Sequence, residues 1–326
     1  MRTLLGFTLA VAVYPFIFLE LTAADPGSAV TNPLGFVRIT AEAGKLTPIG
    51  ISVVNQPLGG GTIEAVDGDK ITLNVELSVP GVKPSYLEIT DQGSSFVGDR
   101  FDVISVNGTT VHMDLSPNSH STIRGSLPDS LVGATIVYRN HVTLGQLEDW
   151  LPEGSEFVRS FFSGSADSLT LYRDGLTVQY HYSLSGVWSR TGVSDASGVV
   201  LEPGQGLLFY RQAAADDLVF IVPGSVRTND FRQNFRKGVN LLATGYPVDV
   251  SFEDRGFIKE NGFRASFFMA QADQVLLYAD DGAFISYYLR DASNWGEPFG
   301  FLFDATSAVF LQKQEDDFNF FSPLPY

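Results

Sequence analysis

Two stretches of this chain, SFFSGSADSLTLYRD (160–174) and SFFMAQADQVLLYAD (266–280), agree at eight of fifteen positions. After one inserted residue, Asp281, the agreement continues: Gly175, Val178, Tyr180 and Trp188 match Gly282, Ile285, Tyr287 and Trp295. A fainter parallel joins LEPGQGLLFYR (201–211) to FDATSAVFLQK (303–313). A unit of three or four strands has an apolar face that it cannot bury alone, and two copies can bury theirs against one another. The expectation is a C-terminal β-sandwich from a duplicated β unit (157–211 and 263–313), packed face to face about a pseudo-twofold axis. Tyr172 with Tyr278, and Trp188 with Trp295, then recur because a shared core requires them.

The duplication also bears on the Asp-Asp-Gly at 280–282. A calcium loop needs about six oxygen ligands in a tight array, whereas the first copy offers a single Asp174 beside Arg173. Asp before Gly is ordinary hairpin-turn chemistry in both copies, so no metal is expected there.

Upstream, TIEAVDGDKITLNV (62–75) and DVISVNGTTVHMDL (102–115) align without a gap and alternate apolar with polar residues. Asp67-Gly68 and Asn107-Gly108 suit the tight turns that match strand twist. Each segment reads as a hairpin with one apolar face, and together they predict a small N-terminal β-barrel or sandwich over 25–152. TLGQLEDWLP (143–152) predicts a short helix, with Thr143 capping, Leu144, Leu147 and Leu151 on one face, and Pro152 ending it. That helix sets the expected domain boundary, with the second domain over 153–326. The closing FNFFSPLPY reads as an exposed or edge-docked tail, because Pro323 and Pro325 remove ladder donors.

The first 24 residues read as an export signal: Arg2, an apolar run from Leu4 to Leu19, then Thr22-Ala23-Ala24. No second apolar run of spanning length follows. With no cysteine in 326 residues, disulfides, thiolate metal sites and haem attachment through cysteine are excluded. The core alone must hold the fold, and a bacterial periplasm, cell surface or exterior suits such a chain. A net charge of −16 repels phosphate backbones, so nucleic acid is not an expected partner. The basic RTNDFRQNFRKG (227–238) reads as a solvated loop or short helix.

Chemistry is sparse. His112, His120, His141 and His181 fall in no zinc-ligand spacing. Neither a nucleophile elbow nor a phosphate loop appears, and the glycine-rich PLGGGTIE (57–64) reads as a flexible turn. No cofactor is expected. Trp188, Trp295, Tyr172 and Tyr278 are the candidate ligand-binding residues, as platforms that could stack on sugar rings.

NPLGFVRIT, YLEITDQGSSFVGDRFDVISV, TLGQLEDWLP, ADQVLLY and LEPGQGLLFYR, in that order, resemble a family of exported bacterial β-rich proteins of unknown function, often present in several copies per genome. The resemblance spans roughly residues 32–313. It implies export and an all-β fold, and supplies no reaction or ligand. The sequence thus points to an exported, non-catalytic structural or interaction protein with envelope proteins or glycans as partners. A glycan-binding module is the alternative, and a polysaccharide lyase or glycosidase comes third.

Overall fold

The computed structural model describes residues 33–326 except 79–82, 174–175, 280–281, 299 and 316. The expected export signal and the residues Asp174, Gly175, Asp280 and Asp281 lie outside the described residues. The described chain is all-β, with antiparallel strand pairing throughout its sheets. Among the described residues no helix is long and apolar enough to cross a membrane.

Two strands come first: β1 (Leu34–Ala41) and β2 (Leu46–Gly50). A closed six-stranded barrel follows, built from β3 (Pro57–Asp67), β4 (Lys70–Leu73), β5 (Ser85–Ile89), β6 (Arg100–Asn107), β7 (Thr110–Asp114) and β8 (Thr135–Asn140). Its order is β3-β4-β7-β6-β5-β8. The two expected hairpins are β3–β4 and β6–β7, with Asp67 opposite Lys70 and Asn107 opposite Thr110. Gly68 and Gly108 sit at φ 65° and 60°, the left-handed region that such turns need. Alternation then sends Ile71, Leu73, Val111 and Met113 into the barrel interior.

The glycine-rich segment is strand, not a flexible turn. Gly59, Gly60 and Gly61 pair with β8, and a Cβ on Gly60 would stand 2.6 Å from the Ile136 carbonyl oxygen. Glycine lets strands approach closely enough there for the barrel to close.

After the barrel come β9 (Val142–Thr143) and α1 (Gln146–Asp149), the one α-helix among the described residues and shorter than the predicted 143–152. Thr143 lies in a strand, and only half of the capping box forms: its N–H donates to Gln146 Oε1 at 3.1 Å. Leu144 and Leu147 are buried as expected, with Leu151 packed beside them.

The rest of the chain makes two lobes. The first holds β10 (Ser168–Arg173), β11 (Leu176–Tyr182), β12 (Trp188–Ser189), β13 (Val200–Leu201), β14 (Gly206–Tyr210) and β15 (Leu218–Ser225). The second holds β16 (Phe231–Phe235), β17 (Gly238–Leu242), β18 (Gln274–Tyr278), β19 (Phe284–Tyr288), β20 (Val309–Lys313) and β21 (Phe318–Ser322). In the first lobe the sheet runs β12-β11-β10-β14-β2 and a separate ribbon pairs β1 with β15. In the second the sheet runs β19-β18-β20-β17 and the ribbon pairs β16 with β21. Registers agree as well: Ser168 faces Tyr210 as Gln274 faces Gln312. Sheet and ribbon of each lobe share one apolar core, as a sandwich does.

The sheets do not divide at residue 152. β1 and β2 pair with β15 and β14, so the barrel is inserted between the first strands of lobe one and the remainder. Nor do the lobes depend on one another for their main burial, because each has its own core. A smaller cluster, with Leu208 from one lobe and Leu241 and Phe310 from the other, lies between them. The seam is reciprocal: Gly50 N–H donates to Thr306 O at 2.9 Å, and Ala243 N–H to Gly204 O at 2.8 Å.

The basic segment at 227–238 is not a solvated loop. It contains β16, paired along its length with β21. Arg227 is buried against Glu88, and Arg232 donates to Val97 O and Ser95 O of the barrel. The C-terminal tail docks through β21, where Phe320 is fully buried.

Candidate functional site

The four candidate aromatics do not converge. Trp188 is 1 % and Trp295 0 % exposed, so neither can stack on a ligand. Trp188 lies edge-on to Phe157 at 5.0 Å in the core of lobe one. Trp295 donates from Nε1 to Phe257 O at 2.7 Å among the aromatic rings of lobe two. Burial of so large a ring is itself a main source of lobe stability. Tyr172 and Tyr278 are half-buried on separate crevices of the seam. Tyr172 meets Phe310 edge-on at 5.3 Å, and Tyr278 meets Phe284 at 5.3 Å.

The buried histidines and carboxylates around Asp102, Glu88, Asp167 and Asp273 are paired from within. In the barrel, Asp102 accepts from His120 Nδ1 at 2.9 Å and from His141 Nε2 at 2.7 Å. Burial works to raise the Asp102 pKa, but the two imidazole hydrogen bonds win and hold it well below the usual carboxylate range. Burial pushes His141 down, against the pull of Asp102, and the charges of His120 and Arg100 add to the push. This trio ties β6 to the loop after β7 and to the end of β8. Glu88 is buried with Arg227, Asn229 and Arg139 around it. His112 pairs with Asp69 at the barrel's turn, and His181 sits 3.3 Å from Ser189 Oγ.

Each lobe has one more buried carboxylate, at matching positions. Asp167 accepts from the N–H groups of Val158 and Gln212 and from Arg211. Asp273 accepts from those of Arg264 and Gln314 and from Lys313. Charge-assisted bonds of this kind fix geometry more than they add chemistry.

What stands out is on the surface. Phe161 and Phe162 are 76 % and 70 % exposed, and Phe267 and Phe268 are 86 % and 62 % exposed. In each lobe the serine before the pair closes a turn. Ser160 Oγ accepts from Phe162 N–H at 3.1 Å, and Ser266 Oγ from Phe268 N–H at 3.2 Å. The serine's own N–H is held by the end of the sheet, by Tyr182 O in one lobe and Leu289 O in the other. Both pairs are edge-on, at 5.3 and 5.4 Å. Two hydrocarbon tips are thus presented to solvent on the same local frame.

Beside Phe161, lobe one has an open groove of about 610 Å³ lined by His181, Ser183, Ser189 and Arg190. An aromatic face next to hydroxyl, imidazole and guanidinium groups provides what a sugar ring uses. In the sequence these phenylalanines serve only to align the two copies and are assigned no role. The available signal was their neighbourhood: a serine before each pair, and in the first copy the small polar Ser163-Gly164-Ser165 after it.

No family model matches the chain, and neither curated proteins nor solved structures yield a match. The family resemblance read from the motifs therefore rests on those motifs alone.

Proposed function

We propose that the protein is an exported, non-catalytic structural or interaction protein of a bacterial envelope or extracellular matrix, and that it holds its partner through the two diphenylalanine tips. The lobes are read as an internal repeat, in accord with their matched strand order, register and carboxylate clasps. The observation that carries the proposal is the exposure of both pairs in identical hydrogen-bonded turns. Four exposed phenylalanine rings cost solubility, and a position filled that way in both lobes is best explained by contact. The non-catalytic part draws support from the buried histidines and carboxylates around Asp102, Glu88, Asp167 and Asp273, which are paired inside the fold.

The groove beside Phe161 favours one second reading, a glycan-binding module. Both are tested by binding purified protein to cell-wall sacculi, insoluble polysaccharides and a glycan array, with calcium present and absent. A quadruple variant, F161S/F162S/F267S/F268S, should lose binding while keeping its far-ultraviolet circular dichroism. Retained binding by that variant would overturn the assignment of the tips. Turnover of a polysaccharide, stopped by a single substitution, would overturn the non-catalytic reading.

A further inference from the structure

The seam between the lobes opens into two crevices. One is lined by Tyr278, Asp304, Ser307 and Thr47. The other is lined by the residues that match these in register, Tyr172, Glu202, Gln205 and Asn240. Beyond these positions the two differ. Where the first has Ala279 the second has Arg173, and lobe two adds Arg236 while the barrel adds Arg124. A place where three guanidinium groups share one crevice is unexpected in a chain of net charge −16.

Arg236 is paired with Asp317 at 2.9 Å. Among the described residues, Arg124 and Arg173 form no ion pair, although the charge of Arg124 is felt by Asp317. Each is anchored through one nitrogen only: Arg173 donates to Val200 O at 2.6 Å and Arg124 to Ser119 O at 3.1 Å. Gln233, 6 % exposed, also lines the crevice. Its Nε2 donates to Gly204 O at 3.2 Å, while its Oε1 has no partner. An amide oxygen needs a donor and cannot receive an anion. The crevice therefore asks for two things at once, an acceptor of negative charge for the arginines and a hydroxyl for Gln233.

We propose that this crevice binds a small hydroxylated carboxylate of the sugar-acid class, such as a uronate. The carboxylate accepts from Arg124 and Arg173, whose planar forks suit it, and a hydroxyl donates to Gln233 Oε1. Glu202, the carboxylate among the lining residues, disfavours dianions such as sulfate and can accept a second hydroxyl. The space of about 60 Å³ takes the acid end of a monosaccharide and not an oligosaccharide. The site is independent of the diphenylalanine tips and stands or falls without them.

Isothermal titration calorimetry of the full-length exported protein against galacturonate, galactose and sodium sulfate, at fixed ionic strength, tests this. Galacturonate should bind with a Kd of about 1 mM, and galactose and sulfate at least about tenfold more weakly. R173A should weaken galacturonate about tenfold, with R173K recovering part of the loss. Q233E, nearly isosteric, should weaken it as much by placing a negative charge at the floor. The latter keeps the test decisive if R173A unfolds. Galactose or sulfate binding as tightly as galacturonate, no galacturonate binding, or unchanged affinity in folded Q233E would each overturn the proposal.

Discussion

Lobe one and lobe two hold a buried carboxylate in the same backbone cradle but neutralise it with different cations. Arg211 reaches Asp167 while also donating to Glu156 O and Asp216 O. Lys313 reaches Asp273, donates to Gly262 O, and sits 4.8 and 4.4 Å from the ring centres of Phe263 and Phe318. One cation is steadied by two carbonyls, the other by one carbonyl and two aromatic faces. The cradle of two N–H groups is what the fold keeps, and the cation is whatever the local packing can support. The largest effect should come from removing a cation and stranding its acid: K313M should cost about 3–5 kcal/mol in urea unfolding. R211K keeps the charge and gives up some carbonyl bonds, so it should cost about 1–2 kcal/mol. A K313M loss below that of R211K would break the equivalence of the two clasps.

That comparison also marks how far the sequence could be read. Asp167 and Asp273 sit in the quoted ADS and ADQ triplets, and Arg211 and Lys313 end the fainter parallel, so all four were aligned. Their meeting was not visible, because it depends on β14 pairing beside β10, a contact between segments far apart in the chain. The hairpins at Gly68 and Gly108 were legible because turn chemistry is local. Insertion of the barrel after β2 was not legible, because nothing in LTPIG names β14 as its neighbour. Trp188 and Trp295 are core residues, each in its own lobe's core and not in one shared by the two copies. Phe161 and Phe267 were missed as surface, since hydrophobicity alone does not say on which side of a turn a ring will fall.

The seam offers the next contrast. Gly50 and Ala243 occupy matching positions and donate matching hydrogen bonds, yet only one carries a side chain. A Cβ on Gly50 would lie 2.1 Å from Ser307 O and 3.0 Å from Ala243 Cβ. The seam therefore has room for the methyl group of Ala243 and none for one on Gly50. G50A should cost about 1–3 kcal/mol through forced backbone shifts. The double variant G50A/A243G, which moves the methyl to the other lobe, still meets Ser307 O and should recover only part of that. Full recovery would show that the two sides of the seam are interchangeable.

Barrel and lobes should separate by pH. Three of the four histidines, His112, His120 and His141, belong to the barrel region, and burial lowers the His141 pKa. A histidine with a depressed folded pKa takes its proton first in the unfolded chain, near pH 6.5. Stability should therefore fall as pH drops below about 6.5, at up to about 1.4 kcal/mol per pH unit, until His141 itself is protonated. Asp102, also lowered, adds a further loss below about pH 3.9. H141Q should flatten the slope between pH 6.5 and 5 in thermal unfolding of the whole chain. A slope unchanged by H141Q would place the acid sensitivity outside His141.

The smallest effect on stability should come from the tips, and there the two lobes can be set against each other. F161S/F162S and F267S/F268S each remove exposed rings and should shift unfolding by less than about 0.5 kcal/mol. Their effects on binding separate the two functional readings. If both tips grip an extended surface, either double variant costs the avidity of bivalent attachment, by about 10²-fold or more, and the two losses are alike. If lobe one alone recognises a sugar, through the groove where His181 stands in place of Tyr288, F161S/F162S abolishes binding and F267S/F268S leaves it intact. Equal losses favour an interaction protein with two grips. Unequal losses mean that the lobes, alike in framework, have been given different work.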